Sequence, residues 1–307
     1  RRQRQMCIRD RFNIGGQGQA IAGATLAAWV GFNFHSLPLP VHLLFAVIAG
    51  FIGGAIWGGI AGILKARAGA NEVIVTIMLN YIAGGLLAWL LTTKAFQMPG
   101  RTDPIAPIVD WNATFPRMAG SQLHLGFFLA LLLAVGTWWL LDRTPLGFQI
   151  RAVGSNPNAS ATAGMNTNSI IAWTMIISGG LAGMAGVEVA LGPISGATPT
   201  QLSIGLVGTI GFDAITVALL GRSKPLGIVL AGLFWGAMNQ GGLRMQAMTQ
   251  TSLDLVRAIQ AVIVMFVAAP MLVKTILPFL KTRREKRTKK RDRGPVPADT
   301  TTKGALA

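Results

Sequence analysis

Long apolar runs, separated by short polar or glycine- and proline-rich connections, repeat along the whole chain. They fall near residues 14–34, 41–64, 72–94, 123–141, 169–190, 204–221, 225–243 and 254–280. About 20 such residues let an α-helix cross roughly 30 Å of hydrocarbon. The pattern therefore predicts an all-α polytopic membrane protein with about eight transmembrane helices. Basic residues orient them. With alternating spans, Lys65 and Arg67, Arg143 and Arg151, and Arg222 and Lys224 share one side, as does the basic stretch after residue 280. Excess Lys and Arg mark the cytoplasmic side, so both ends are expected inside.

Several positions interrupt this apolar background. The first span opens FNIGGQGQ, where Gln17 and Gln19 stand among Gly15, Gly16 and Gly18. This weak start is either a helix break lining a cavity or a plain turn into the membrane. Gly50, Gly54, Gly58 and Gly62 recur every four residues, which puts them on one ridge that admits a neighbouring helix closely. Gly179 with Gly183, and Gly232 with Gly236, repeat the device. Asn71 is placed to cap the third span, with Glu72 in its first turn. Asn80, two turns further in, is either glue between helices or a substrate contact. Glu188, Asp213 and Asn239 complete the candidates for a translocation path, because polar groups in apolar spans are either paired or functional. The run after Glu188, GPISGATPTQLSIGLVGTIGF, is too interrupted for one straight helix and predicts a re-entrant or broken segment.

The longest polar interruption between spans on the basic side is RTPLGFQIRAVGSNPNASATAGMNTN, residues 143–168. Asn156 suits an N-cap, Pro157 the first helical position and Gly164 a left-handed C′, which predicts a short helix over 157–163. Its side chains are small. The segment is either a docking element for another protein's groove or an ordinary connection. Residues 95–122 contain Pro99, Gly100, Pro104, Pro107 and Pro116 and predict an external loop.

Composition narrows the classes. Of 307 residues, 51% are hydrophobic and 12% charged, well below the charge of a soluble protein. The formal charge of +16 is concentrated at the two ends, without aromatic residues for base stacking. It fits a cytoplasmic anchor on anionic lipid, and no nucleic-acid partner is expected. Residues 1–11 read as a basic, non-native-looking segment, with a natural N-terminus expected to be longer. Residues 12–280 read as the transmembrane domain, and 281–307 as a basic, disordered cytoplasmic tail. The single cysteine, Cys7, excludes an intrachain disulfide. His35, His42 and His124 are scattered near the outward loops and read as interfacial, not metal ligands. No GxxxxGK[ST], HExxH or GxSxG motif occurs, so neither ATP hydrolysis nor another enzyme activity is expected of the chain.

Five blocks in order, FNIGGQGQ, AIWGGIAGILKARAGANEVIVTIMLNYI, TPLGFQIRAVGSNPNASATAGMN, SGGLAGMAGVEVALG and GFDAITVALLG, resemble the permease subunits of bacterial ABC importers for nucleosides and simple sugars. These are part of the wider branched-chain amino acid and sugar permease family. The resemblance implies alternating access in the bacterial cytoplasmic membrane, driven by cytoplasmic ATP-binding subunits, with the permease binding no cofactor itself. It also implies a second permease subunit, as homo- or heterodimer, and an extracytoplasmic substrate-binding lipoprotein. The family's ATPase-coupling loop matches Gly147, Arg151, Ala152, Gly154, Asn156, Ala159 and Gly164. Where family members usually carry Glu, this chain has Gln17. An ion-coupled secondary transporter using Glu188 or Asp213 is the alternative, and a branched-chain amino acid permease a further one.

Overall fold

The computed structural model describes residues 13–268 except 36, 119–122, 194–198 and 251; residues 1–11, the end of the last predicted span and the basic tail lie outside the described residues. Ten α-helices are present among them: α1 (Gly16–Asn33), α2 (Leu39–Ala68), α3 (Glu72–Leu90), α4 (Leu125–Arg143), α5 (Pro145–Ser155), α6 (Pro157–Thr162), α7 (Thr167–Leu191), α8 (Ile210–Leu220), α9 (Pro225–Thr249) and α10 (Leu253–Ala268). Five of them, α2, α3, α4, α7 and α9, are long and apolar enough to cross a membrane. The chain divides into two compact units after Met238.

The core of the first unit is α1, α2 and α7 packed against one another, and glycine makes the approach possible. A Cβ on Gly54 would strike the Gly179 carbonyl oxygen, and one on Gly23 the Gly183 carbonyl oxygen. At Gly58 it would come within 2.5 Å of the Met175 carbonyl oxygen. The predicted ridge therefore packs against the Gly179–Gly183 pair, backbone on backbone. Ala20, Ala24, Ala27 and Ala28 of α1 are each 1% exposed or less and fill the seam. Small residues replace large apolar ones here because lipid gives helices no hydrophobic reason to associate, and dispersion contacts need close approach.

The other glycine pair behaves differently. A Cβ on Gly236 would meet nothing within 4 Å among the described residues, and one on Gly232 only Val217 at 3.9 Å.

Three expectations change. The apolar run at 204–221 folds as turns followed by the 11-residue α8, about 16 Å of rise, too short to span hydrocarbon. Gly208 takes a left-handed φ of 50° just before it, which stops the run from continuing as one helix. The expectation of a purely helical chain also misses a ribbon: β1 (Ile105–Ile108) pairs antiparallel with β2 (Gln201–Ser203). This ribbon and its flanks close one end of the core by serving helix carbonyls that lack intrahelical donors. Asp110 N–H donates to the Gly31 carbonyl (2.9 Å), Phe115 N–H to that of Leu191 (3.0 Å), and the Thr200 hydroxyl to that of Gly192 (2.5 Å). His42, read as interfacial, is completely buried in α2, with Nε2 3.0 Å from the Val30 carbonyl. Its helix leans on the last turns of α1 there, so the ring is covered.

The opposite end gathers the basic loops. Lys65, Glu72, Ile150, Gly154 and Ser223 line one cavity of about 420 Å³ there, so three connections predicted to share a side do so. Asn71 caps α3 by accepting from Val73 N–H (3.0 Å), and Glu72 pairs with Lys65 across the Gly69 turn at 3.0 Å.

Candidate functional site

Two polar assemblies stand out in the first unit. The first lies where α1 begins. Gly15 supplies no side-chain cap to α1, so the orphan N–H groups of its first turn need partners from elsewhere. Asn80 of α3 provides one: its Oδ1 accepts from Gly18 N–H at 2.8 Å, while its Nδ2 donates to the Ile14 carbonyl at 3.0 Å. Gly18 has no room for a side chain, since a Cβ would sit 2.9 Å from the Trp57 indole nitrogen and 3.0 Å from Asn80 Oδ1. Gln19, 1% exposed, exchanges hydrogen bonds with Asn13, which also donates to the Ser178 hydroxyl of α7 at 2.8 Å. Gln17 donates through Nε2 to the Gly208 carbonyl (2.6 Å) and accepts at Oε1 from Gly211 N–H (2.8 Å), joining α1 to α8.

Gln17, Gln19 and Asn80 are thus brought together, and each amide is engaged with protein partners on both its oxygen and its nitrogen. They hold the broken start of α1 against three neighbouring elements. Asn13 and Ser178 were not singled out in the sequence.

The second assembly is the basic-end segment 143–168. Two helices form it, where the sequence predicted one. Thr144 caps α5, accepting from Gly147 N–H at 3.0 Å, with Pro145 in its first turn. Gly147 is buried against the Leu140 and Leu141 carbonyls, where a Cβ has no room, so α5 folds back tightly from the end of α4. Arg151 reaches back to Asp142 at 2.6 Å. Asn156 then ends α5 and caps α6, accepting from Ala159 N–H at 3.2 Å. Gly164, at φ 83°, closes α6: Met165 N–H donates to the Ser160 carbonyl and Gly164 N–H to that of Ala161, both at 3.0 Å. This is the paired C-terminal closure that a left-handed C′ glycine permits. Of α6 only Ser160 is buried; Asn158, Ala159, Ala161 and Thr162 are exposed. Ala152 is half-buried and Gly154 is exposed, with nothing within 4 Å of its would-be Cβ.

The remaining candidates stand apart from both assemblies. Glu188 lies near the end of α7, against Gly126, with His124 Nδ1 3.8 Å from its carboxylate, beyond hydrogen-bond range. It lines a largely apolar cavity of about 500 Å³ with Leu133, Met184, Ile210 and Ile228. Asp213 accepts from the Thr209 hydroxyl at 3.3 Å in the first turn of α8. In the second unit, Asn239 of α9 accepts from Gln260 of α10 at 3.1 Å.

Residues 6–268 match the family described as branched-chain amino acid transport system / permease component. The guanosine ABC transporter permease protein NupP of Bacillus subtilis (strain 168) is 38% identical over 89% of this chain and 77% of its own length. The nucleoside ABC transporter permease protein NupB of Lactococcus lactis subsp. cremoris (strain MG1363) is 33% identical over 88% of this chain and 75% of its own. The glucose ABC transporter permease protein TsgB13 of Haloferax volcanii is 30% identical over 83% and 68%. The chain belongs to this permease family. No solved structure matches it.

It is accordingly an ABC-type transport permease, a multi-pass protein of the plasma membrane, and not an enzyme. In this permease the positions expected from the resemblance to form a coupling loop divide by what they touch. Gly147, Asn156 and Gly164 build the bends and caps, Arg151 braces α5 on α4, and Ala159 faces outward. The signal that would have revealed α5 was present: Thr144–Pro145 is the same cap-then-proline pair as Asn156–Pro157.

Proposed function

We propose that this permease imports nucleosides, working as the membrane subunit of an ABC importer whose partner ATP-binding subunits dock on α6. The observation that carries the cargo is the 38% identity to a guanosine permease across 89% of the chain. What supports the docking role is a helix capped at both ends whose outward face is small and unoccupied. A partner's groove can close on such a face down to the backbone, and ATP-driven closure of the partners would pull α6, with α5 and α7 attached, to rock the core. The permease itself needs no cofactor; ATP is spent in the partner. A second permease subunit and an external binding lipoprotein complete the assembly, and the basic tail lies on cytoplasmic lipid.

In this reading residues 12–280 form one transmembrane domain with eight crossings, the sixth of them broken, with α8 as its helical half. Simple sugars form the second reading of the cargo, favoured by the 30% identity to a glucose permease. The test is uptake of labelled guanosine and glucose by vesicles holding the reconstituted complex. Guanosine accumulation that requires ATP and survives an uncoupler is the expected result. Accumulation that persists without the ATPase and collapses with the uncoupler would replace this reading with an ion-coupled carrier.

A further inference from the structure

Helix α8 is pinned to α1 at its start and turns tightly into α9 at its end, where buried Gly221 packs on the Gly227–Ile228 backbone. Of its eleven residues only Gly211 is buried, pressed so closely on the α1 backbone at Gly16 and Gln17 that no Cβ fits. The two hydrogen bonds of the Gln17 carboxamide bracket that point, one to the Gly208 carbonyl and one from Gly211 N–H. Gln17 is itself 9% exposed, and its bond from Gly211 N–H is buried and so shielded from competing water, while Gly208 is exposed. Beyond Gly211 the helix is half-buried or exposed, and the cavity of about 500 Å³ lies beside it, with Ile210 in its wall. At its far end Arg222 and Ser223 both take left-handed φ values, 54° and 52°, which non-glycine residues adopt at a cost. Ser223 lines this cavity and the one at the basic end. A short helix latched to α1 at its start, with a strained turn into α9 at its end and space alongside, can pivot about that turn.

We infer that the Gln17 carboxamide is the latch that fixes α8 during the transport cycle, and that releasing it lets α8 swing toward the cavity. Gln17 is then a positioning residue, acting on the path through α8 and not on the cargo. The inference rests on the reading of the chain as a transporter but not on which cargo it carries. A neutral amide fits both bonds at once, and a carboxylic acid does so only while protonated. Leucine has neither group, and an ionised glutamate can accept from Gly211 but cannot donate to Gly208.

The test uses the assembled complex in vesicles, with the single cysteine Cys7 replaced by Ser and Ile210→Cys introduced as a reporter. The rate of its modification by a membrane-impermeant maleimide is read in the Gln17, Gln17→Leu and Gln17→Glu backgrounds. Loss of two neutral hydrogen bonds raises the open population, and hence the rate, about tenfold in Gln17→Leu; Gln17→Glu raises it less. A second reporter, Leu87→Cys in the α3 core, stays unreactive throughout. An unchanged Ile210→Cys rate in complexes that assemble would overturn the latch. So would equal acceleration at both reporters, because that is general loosening. If Gln17→Leu fails to assemble, Gln17→Met, which also lacks both groups, decides on the same terms. Failure of guanosine uptake with intact reporter responses overturns the cargo reading and leaves the latch standing.

Discussion

Small residues serve opposite purposes in two parts of this permease. Along the seam of α1, α2 and α7 they let backbones touch, and every missing side chain is replaced by another helix of the same chain. On α6 the same kind of residue leaves a face that nothing in the described chain covers. Both stretches are poor in large side chains, yet one is the most tightly packed part of the molecule and the other is bare. Small residues fix how near a neighbour can come; they do not say whether that neighbour belongs to the same chain.

Substitutions sharpen this contrast. The largest effect is expected at Gly54, where even a methyl group collides with the Gly179 carbonyl of α7. Gly54→Ala should cost about 3 kcal/mol, the upper range for overpacking where backbone must give way. A clear drop in the melting midpoint of the detergent-purified protein is expected, and an unchanged midpoint would break the close-packing account. Asn80→Leu comes next. It strips Gly18 N–H and the Ile14 carbonyl of their partners, at about 2 kcal/mol for buried groups left unsatisfied. If Asn80 contacted cargo instead, stability would hold while the KM for uptake rose. Gly236→Ala should be the mildest, since its Cβ meets nothing among the described residues and alanine favours the helix by up to about 1 kcal/mol. A destabilisation comparable to Gly54→Ala would mean that α9 is covered by a partner in the measured sample.

Features whose partners are near in sequence were the legible ones. The caps of α6 at Asn156 and Gly164 are spaced by one short helix and could be placed residue by residue. Asn71 and Glu72 were equally clear, as was the α2 ridge. What escaped depends on contacts far apart along the chain. The bond between Gln17 and Gly211 joins residues 194 positions apart, and Asn80 with Gly18 spans 62. Gln17, Gln19 and Asn80 are legible in the sequence as polar groups needing partners, but their partners are not. The β1–β2 ribbon joins a proline-containing loop to a stretch nearly a hundred residues later, and neither half alternates strongly enough to announce a strand. At 204–221 apolar composition outweighed the glycines at 205, 208 and 211, so a half-length helix resembled a full span.

The bare face of α6 bears the central claim, that this permease is driven by subunits docking there. Ala159→Trp adds bulk at an exposed position of α6 and leaves the caps at Asn156 and Gly164 intact. Copurification of the partner ATPase with this variant measures the claim directly. Membrane insertion and melting midpoint should match the unsubstituted protein, while bound ATPase falls by about tenfold or more, as when a central interface position is blocked. Undiminished ATPase binding by the folded variant would contradict the account.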